Sequence, residues 1–266
     1  MEQRARFYET VESDEKAKFG TSQWSDDIYN ILTKNSNCRN DCKYCYMKRI
    51  RHNLLGVDIE DLTMDVNTKK VEKKWLKPKA SRPSKYIMFP SSHGIFAEYV
   101  EDYIKVAEKI LVAGHDLLVV TKPRRECIQR ISEALESYKG KIVFRLTITS
   151  DMNDVLELWE PNAPKFEERL ECLQMLHARG FKTSVSIEPF LSDPLSIVSK
   201  VDQYVTDSIW VGYMSGMGYV KDVPESEVKR VKELYKLSHT DELVKKLSVN
   251  PKIYWKSSIM NKKKPS

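Results

Sequence analysis

The chain has 266 residues, 41% of them hydrophobic, which suffices for one sizeable core, and barrel-type α/β domains of about 250 residues are routinely single units. Nine glycines and 11 prolines exclude a low-complexity chain, and no apolar run approaches the ~20 residues that a membrane-spanning helix needs. A net charge of +6 permits contact with a polyanion without requiring it.

Residues 1–23 are polar and charge-rich without a period, and read as an N-terminal arm. The opening MEQRARFYET lacks an apolar signal core, so export is not expected. Between Trp24 and Thr33, the apolar residues Ile28, Tyr29, Ile31 and Leu32 make a short strand candidate. The loop Cys38-Arg-Asn-Asp-Cys42-Lys-Tyr-Cys45-Tyr46 follows it directly. Residues 62–77 then have a helical pattern, with Lys69, Lys70, Lys73, Lys74 and Lys77 opposite Leu62, Val66, Val71 and Trp75. Lys79, Arg82 and Lys85 extend the charge. This basic stretch, 69–85, is either a solvated helix face or a patch facing DNA or RNA.

From here strands and helices alternate. Tyr86–Pro90, Leu117–Thr121, Ile142–Thr149, Lys182–Glu188 and Ser208–Met214 read as strands. Tyr99–Val112, Glu126–Tyr138, Lys165–Arg179 and Leu195–Val205 read as helices, the first three closed by Gly114, Gly140 and Gly180. Short joints between alternating elements mean a parallel sheet wrapped by helices. With the first strand this makes six units over 24–220, an incomplete TIM-type (β/α)6 barrel. Residues 221–266 are expected to be a C-terminal extension, helical over 225–247 and ending in a basic tail with Lys262-Lys-Lys264. In two strands Arg145, Thr147, Thr149, Ser184, Ser186 and Glu188 share one face, which suggests a polar lumen, although partnering within the core would also suit them. Glu188 stands at a strand end, where barrel enzymes meet their ligands.

The cysteine loop has the spacing C-x3-C-x2-C. It can wrap three thiolates around one corner of a cube-type iron–sulfur cluster, which usually takes four. Cys127 and Cys172 stand alone, with no second ligand pair of the kind a structural zinc site requires. Three ligands on a [4Fe–4S] cube leave one iron open to a small molecule. Clustered cysteines of this kind read as reduced metal ligands in the cytoplasm rather than a disulfide framework.

The loop resembles the cluster loop of the radical S-adenosylmethionine superfamily. Further stretches are similar to its spore photoproduct lyase-like branch, the DNA repair photolyases: Val119-Val-Thr-Lys122, Phe144-Arg-Leu-Thr-Ile-Thr149, Glu160-Pro-Asn-Ala-Pro164, Arg169, Gly180 and Ser186-Ile-Glu-Pro189. The likeness runs over roughly 28–215. It implies that Cys38, Cys42 and Cys45 hold a [4Fe–4S] cluster and that S-adenosyl-L-methionine occupies the open iron. It also implies an external electron donor of flavodoxin or ferredoxin type. Tyr44 and Tyr46 would line the adenine and the path of the radical, and Lys122 would meet the methionyl carboxylate. Ser91 or Ser92, and Thr147 or Thr149, would hydrogen-bond the cofactor, with Glu188 touching it at the strand end. Asp151 and Glu160 would orient a ligand or cap helices.

One departure stands out. The branch's lyase places a hydrogen-donating cysteine beside the strand-two serine, and here the region reads Phe89-Pro-Ser-Ser-His93. Tyr46 is the candidate hydrogen donor in its stead, and His93 is either an acid–base group or an ordinary packed histidine. Three functions are open: a radical enzyme for repair or modification of a nucleic-acid base or nucleotide, a radical enzyme acting on a small molecule or peptide, and a non-catalytic metal-binding protein.

Overall fold

The structure is a computed structural model, and it describes residues 20–33, 38–48, 50, 66–69, 85–237 and 241–260. The arm up to residue 19, positions 70–84 of the basic stretch and the Lys262–Lys264 tail lie outside the described residues.

Seven strands form one sheet: β1 Asp27–Ile28, β2 Tyr86–Met88, β3 Asp116–Thr121, β4 Ile142–Thr147, β5 Lys182–Ile187, β6 Ile209–Val211 and β7 Ile253–Trp255. They pair in chain order, each parallel to the next. Same-handed crossovers put the connecting helices on one face, and the sheet curls into a half-barrel with its other face inward. The helices are α1 Val100–Val112, α2 Arg125–Ala134, α3 Asn153–Trp159, α4 Phe166–Ala178, α5 Pro194–Val201, α6 Glu225–Leu237, α7 Asp241–Ser248 and α8 Ser257–Met260.

The partial α/β barrel expected from the alternation is therefore present, with differences. Among the described residues there are seven strands rather than six, because Ile253-Tyr-Trp255, within the expected tail, pairs with β6. The first strand shrinks to Asp27–Ile28. The helix expected to run to Tyr138 ends at Ala134, and a 3-10 turn over Glu136–Lys141 completes the connection. Gly114 and Gly180 do follow α1 and α4, both at positive φ (88° and 76°), where a side chain would be strained.

The period-2 pattern sorts the sheet's two faces. Ile87, Leu117, Val119, Ile142, Phe144, Leu146, Val185, Ile187, Ile209 and Val211 face the helices in the main core. The helices answer with apolar stripes such as Val100, Tyr103, Val106, Ala107, Ile110 and Leu111 of α1. Burying each large apolar side chain contributes roughly 1.5–3 kcal/mol. On the inner face Met88, Leu118 and Val143 form a second, small apolar cluster with Trp24 against it. Beyond Val143 the lumen turns polar. Arg145 donates to Ser184 at 2.9 Å and to Ser208 at 3.2 Å, and its guanidinium lies 4.9 and 5.2 Å from the ring centres of Trp24 and Trp210.

Candidate functional site

The cysteine loop leaves the sheet after β1 and is fastened from several sides. Asn40, between the first two cysteines, is buried and accepts a hydrogen bond from Arg124 Nη1 at 3.0 Å. Arg124, just before α2, also donates to the Asn162 carbonyl at 2.6 Å and lies 4.3 Å from the Phe96 ring centre. Further along the loop, the Lys43 amide donates to the Trp159 carbonyl at 2.9 Å. Asp41 takes a left-handed conformation, φ 51°, which aspartate tolerates better than most residues. It pairs with Lys43 and Lys48.

The strongest fastening is a buried carboxylate. Glu160 follows the last residue of α3 and accepts hydrogen bonds from the Tyr44 hydroxyl, from Thr149 Oγ1 at 2.7 Å and from Arg169 Nη2 at 2.5 Å. The Lys122 ammonium, from the end of β3, stands 3.8 Å from the same carboxylate. Burial alone would raise the Glu160 pKa, but Arg169, Lys122 and the two hydroxyls hold it down at about 2. Burial likewise opposes the Lys122 charge, yet Cys42 and Glu160 more than compensate and its pKa is raised. Lys122 therefore remains an ammonium, 5.4 Å from the Tyr44 ring centre.

All three loop cysteines line one cavity of about 520 Å³. Burial pushes the Cys42 thiol up to about 12 and raises Cys38, so a metal must displace their protons. The Gly94 amide donates to Cys38 Sγ at 3.2 Å. A Cβ at position 94 would lie 2.6 Å from Asn40 Nδ2, so the approach of this segment to the loop depends on glycine. Cys127 and Cys172 are buried on α2 and α4, away from the cavity lining. Among the described residues no three His, Cys, Asp or Glu side chains converge on a single metal ion. In a cluster each thiolate binds its own iron, so such convergence is not required.

Most of the other expected site residues reach the same cavity. Tyr44, Tyr46, Ser91, Ser92, His93, Lys122, Thr147 and Glu188 all line it. The Tyr46 hydroxyl donates to the Ser91 carbonyl at 3.2 Å, and burial pushes its pKa up to about 12. Asn30 anchors the serine turn, donating to Ser91 Oγ at 2.8 Å and accepting from the Ser91 and Ser92 amides. His93 is buried, with Nδ1 3.0 Å from Ser92 Oγ. Of the two strand-four hydroxyls, Thr147 lines the cavity, whereas Thr149 does not and donates its hydroxyl to Glu160. Asp151 holds Ser192, Ser196 and Lys200, bracing α5. Trp24, Asn40 and Lys256 line the cavity and were not anticipated. Asn40 sat in plain view inside the motif, whereas Trp24 and Lys256 belong to segments with no periodic signal.

No protein-family profile matches the chain. It is 23% identical over 228 residues to the uncharacterized protein ORF301 of Acidianus two-tailed virus, covering 74% of this chain and 72% of that one. A mutant of spore photoproduct lyase superposes with a TM-score of 0.52 and 18% identity, over 74% of this chain and 58% of that one. Streptococcus suis SuiB bound to the precursor peptide SuiA gives 0.53 and 14% identity, over 87% and 48%. The chain thus spans about half to three-fifths of the length of these two structures. At such identities the likeness is one of fold. Both neighbours are radical S-adenosylmethionine enzymes, so the cysteine loop stands on the half-barrel fold that those enzymes use.

Proposed function

We propose that this chain is a radical S-adenosylmethionine enzyme, acting on a nucleic-acid base or nucleotide in repair or modification. The observation that carries the reading is the meeting, in one cavity, of three loop cysteines with the Lys122 ammonium and without a fourth thiol. Those residues fit a three-cysteine [4Fe–4S] cluster: the donors are thiols, and an amide N–H already aims at one sulfur, a contact of the type that tunes cluster potential. When bound, the reduced cluster and S-adenosylmethionine supply a 5′-deoxyadenosyl radical that takes hydrogen from a substrate.

The chain's own part is positional and electrostatic. Cys38, Cys42 and Cys45 would hold the irons. Lys122, kept protonated and oriented by Glu160, would meet the methionyl carboxylate. Tyr44, Tyr46, Ser91, Ser92 and Thr147 would pack and hydrogen-bond the cofactor, and the buried walls would exclude water that quenches radicals. Tyr46 is the candidate hydrogen donor, and His93 beside Ser92 the candidate acid–base group. An external donor of flavodoxin or ferredoxin type, in a reducing cytoplasm, would supply the electron. Among the described residues no helix is long and apolar enough to cross a membrane.

Support for a nucleic-acid target comes from the branch-like stretches, from the basic stretch and from a solved spore photoproduct lyase complexed with a dinucleoside spore photoproduct. The second reading, a peptide or small-molecule substrate, draws on SuiB with its precursor peptide. Anaerobic reconstitution followed by assay for 5′-deoxyadenosine tests the enzyme class, and variants with Cys38, Cys42 or Cys45 changed to alanine should lose both iron and product. A wild-type protein that takes up zinc but never four irons would instead be a metal-binding protein. Salt-sensitive gel shifts with DNA or RNA separate the two substrate readings.

A further inference from the structure

The last strands place a charge pair in the cavity wall that cluster chemistry does not use. Lys256 directly follows β7, is only 3% exposed and lines the cavity with Glu188 from the end of β5. Its Nζ lies 3.6 Å from Glu188 Oε2 and 4.1 Å from the ring centre of Trp24. Gly212, just past β6, sits against both. A Cβ there would be 2.9 Å from Lys256 Cβ and Cγ and 3.0 Å from Glu188 Cδ. The close meeting of the two charged side chains thus depends on a missing side chain at 212.

Such a pair is a poor choice for stability alone. Burial raises the Glu188 pKa and lowers that of Lys256, and apolar residues of similar size often do as well or better. The Glu160–Arg169 pair, at 2.5 Å with neither side chain exposed, is closed. The Glu188–Lys256 pair is longer, and the Glu188 side chain is 22% exposed. It can still be addressed by a bound molecule.

We propose that Glu188 and Lys256 read the substrate, the carboxylate accepting from the N–H and the ammonium donating to the C=O on one edge of an uncharged ring amide. The pair is neutral as a whole, and the neighbouring Arg145 guanidinium is balanced by Asp207 at 3.9 Å. An entering anion would face Glu188 and an entering cation would face Lys256, whereas a neutral edge with one donor and one acceptor matches both. A trans peptide unit points its N–H and C=O to opposite sides, while a ring holds them together. Trp24, Met88 and Val120 give the cavity apolar walls for a flat ring. The inference rests on the nucleic-acid reading above and narrows it to bases with a ring amide, as uracil has. It also moves Glu188 from the cofactor to the substrate.

The test is saturation-transfer NMR on the anaerobically reconstituted full chain loaded with S-adenosylmethionine. Uridine should bind, and 3-methyluridine, which lacks the N–H, should bind about tenfold more weakly. N-acetylglycine N-methylamide, a trans amide, should not bind. Lys256→Met and Glu188→Gln should each weaken uridine about tenfold at unchanged iron content. If Lys256→Met fails to load iron, Glu188→Gln and the methylated nucleoside still decide. Equal binding of uridine and 3-methyluridine would overturn the proposal. So would variants that lose S-adenosylmethionine rather than uridine, since the pair would then serve the cofactor. Release of 5′-deoxyadenosine with dithionite is measured alongside. Release without uridine binding sinks this assignment alone, and no release from the wild type sinks the enzyme reading on which it rests.

Discussion

Glu160 and Arg169 meet at 2.5 Å with neither side chain exposed to solvent. The guanidinium also donates to the carbonyls of Pro164 and Thr147, at 2.7 and 3.3 Å. The carboxylate carries Tyr44 and Thr149 besides. One ion pair therefore ties the end of β4, the segment after α3, helix α4 and the cysteine loop together. Arg169→Met leaves the carboxylate buried and short of its main counter-charge, which is expected to cost ~3–5 kcal/mol. Urea unfolding of the apo-protein at neutral pH measures it, and a loss under 1 kcal/mol would contradict the arrangement.

The same carboxylate predicts an acid dependence. Its pKa in the folded chain is about 2, against an ordinary 4.5. Between those values the unfolded state binds the proton first, so falling pH favours unfolding. The stabilisation is fully present above pH 4.5 and is lost as pH drops through about 2. It is on the order of 3 kcal/mol. Glu160→Gln should flatten the stability–pH curve over this window, while a curve as steep as the wild type's would place the titration elsewhere.

Lys122 is expected to act on the cofactor rather than on the fold. Lys122→Met should leave iron content near that of the wild type and weaken S-adenosylmethionine binding by roughly 10- to 100-fold, the value of a charge-assisted hydrogen bond at ~1.5–3 kcal/mol. Equilibrium dialysis on anaerobic protein reads the dissociation constant. Unchanged affinity would make Lys122 only a counter-ion for Glu160.

Gly94→Ala tests how tightly the loop is held. The new methyl would press on Asn40 Nδ2 from 2.6 Å, displacing the side chain that Arg124 grips. Overpacking of this kind costs ~1–3 kcal/mol. The expected result is slower and less complete cluster assembly, followed by iron and sulfide content over time. Arg124→Ala should act in the same direction by freeing Asn40.

Local patterns made part of this molecule legible. Leu117–Thr121 and the alternation of Ile142–Thr149 and Lys182–Glu188 reveal strands with one apolar and one polar face, because side chains on a strand alternate between faces. The inner-face residues Arg145, Ser184 and Ser186 follow from that period. Beta-seven does not, since Ile253-Tyr-Trp255 is too short to show a period. Nor does Lys256, whose partner Glu188 is distant in the chain. Thr149 marks the limit of the pattern, since alternation gives a side chain's face and not its depth: two residues beyond Thr147, its hydroxyl has turned to the Glu160 carboxylate.

The sequence by itself determined the cysteine spacing and the class of scaffold. Three thiols spaced C-x3-C-x2-C in a short loop, and strands alternating with helices, are local facts that need no folding to be read. Only the tertiary structure decided what surrounds the loop. Tyr44 and Glu160 are 116 positions apart, and a carboxylate's charge state and partners depend on burial and on neighbours brought from elsewhere in the chain. No spacing rule encodes those until the sheet curls and brings them together beside the cysteine loop.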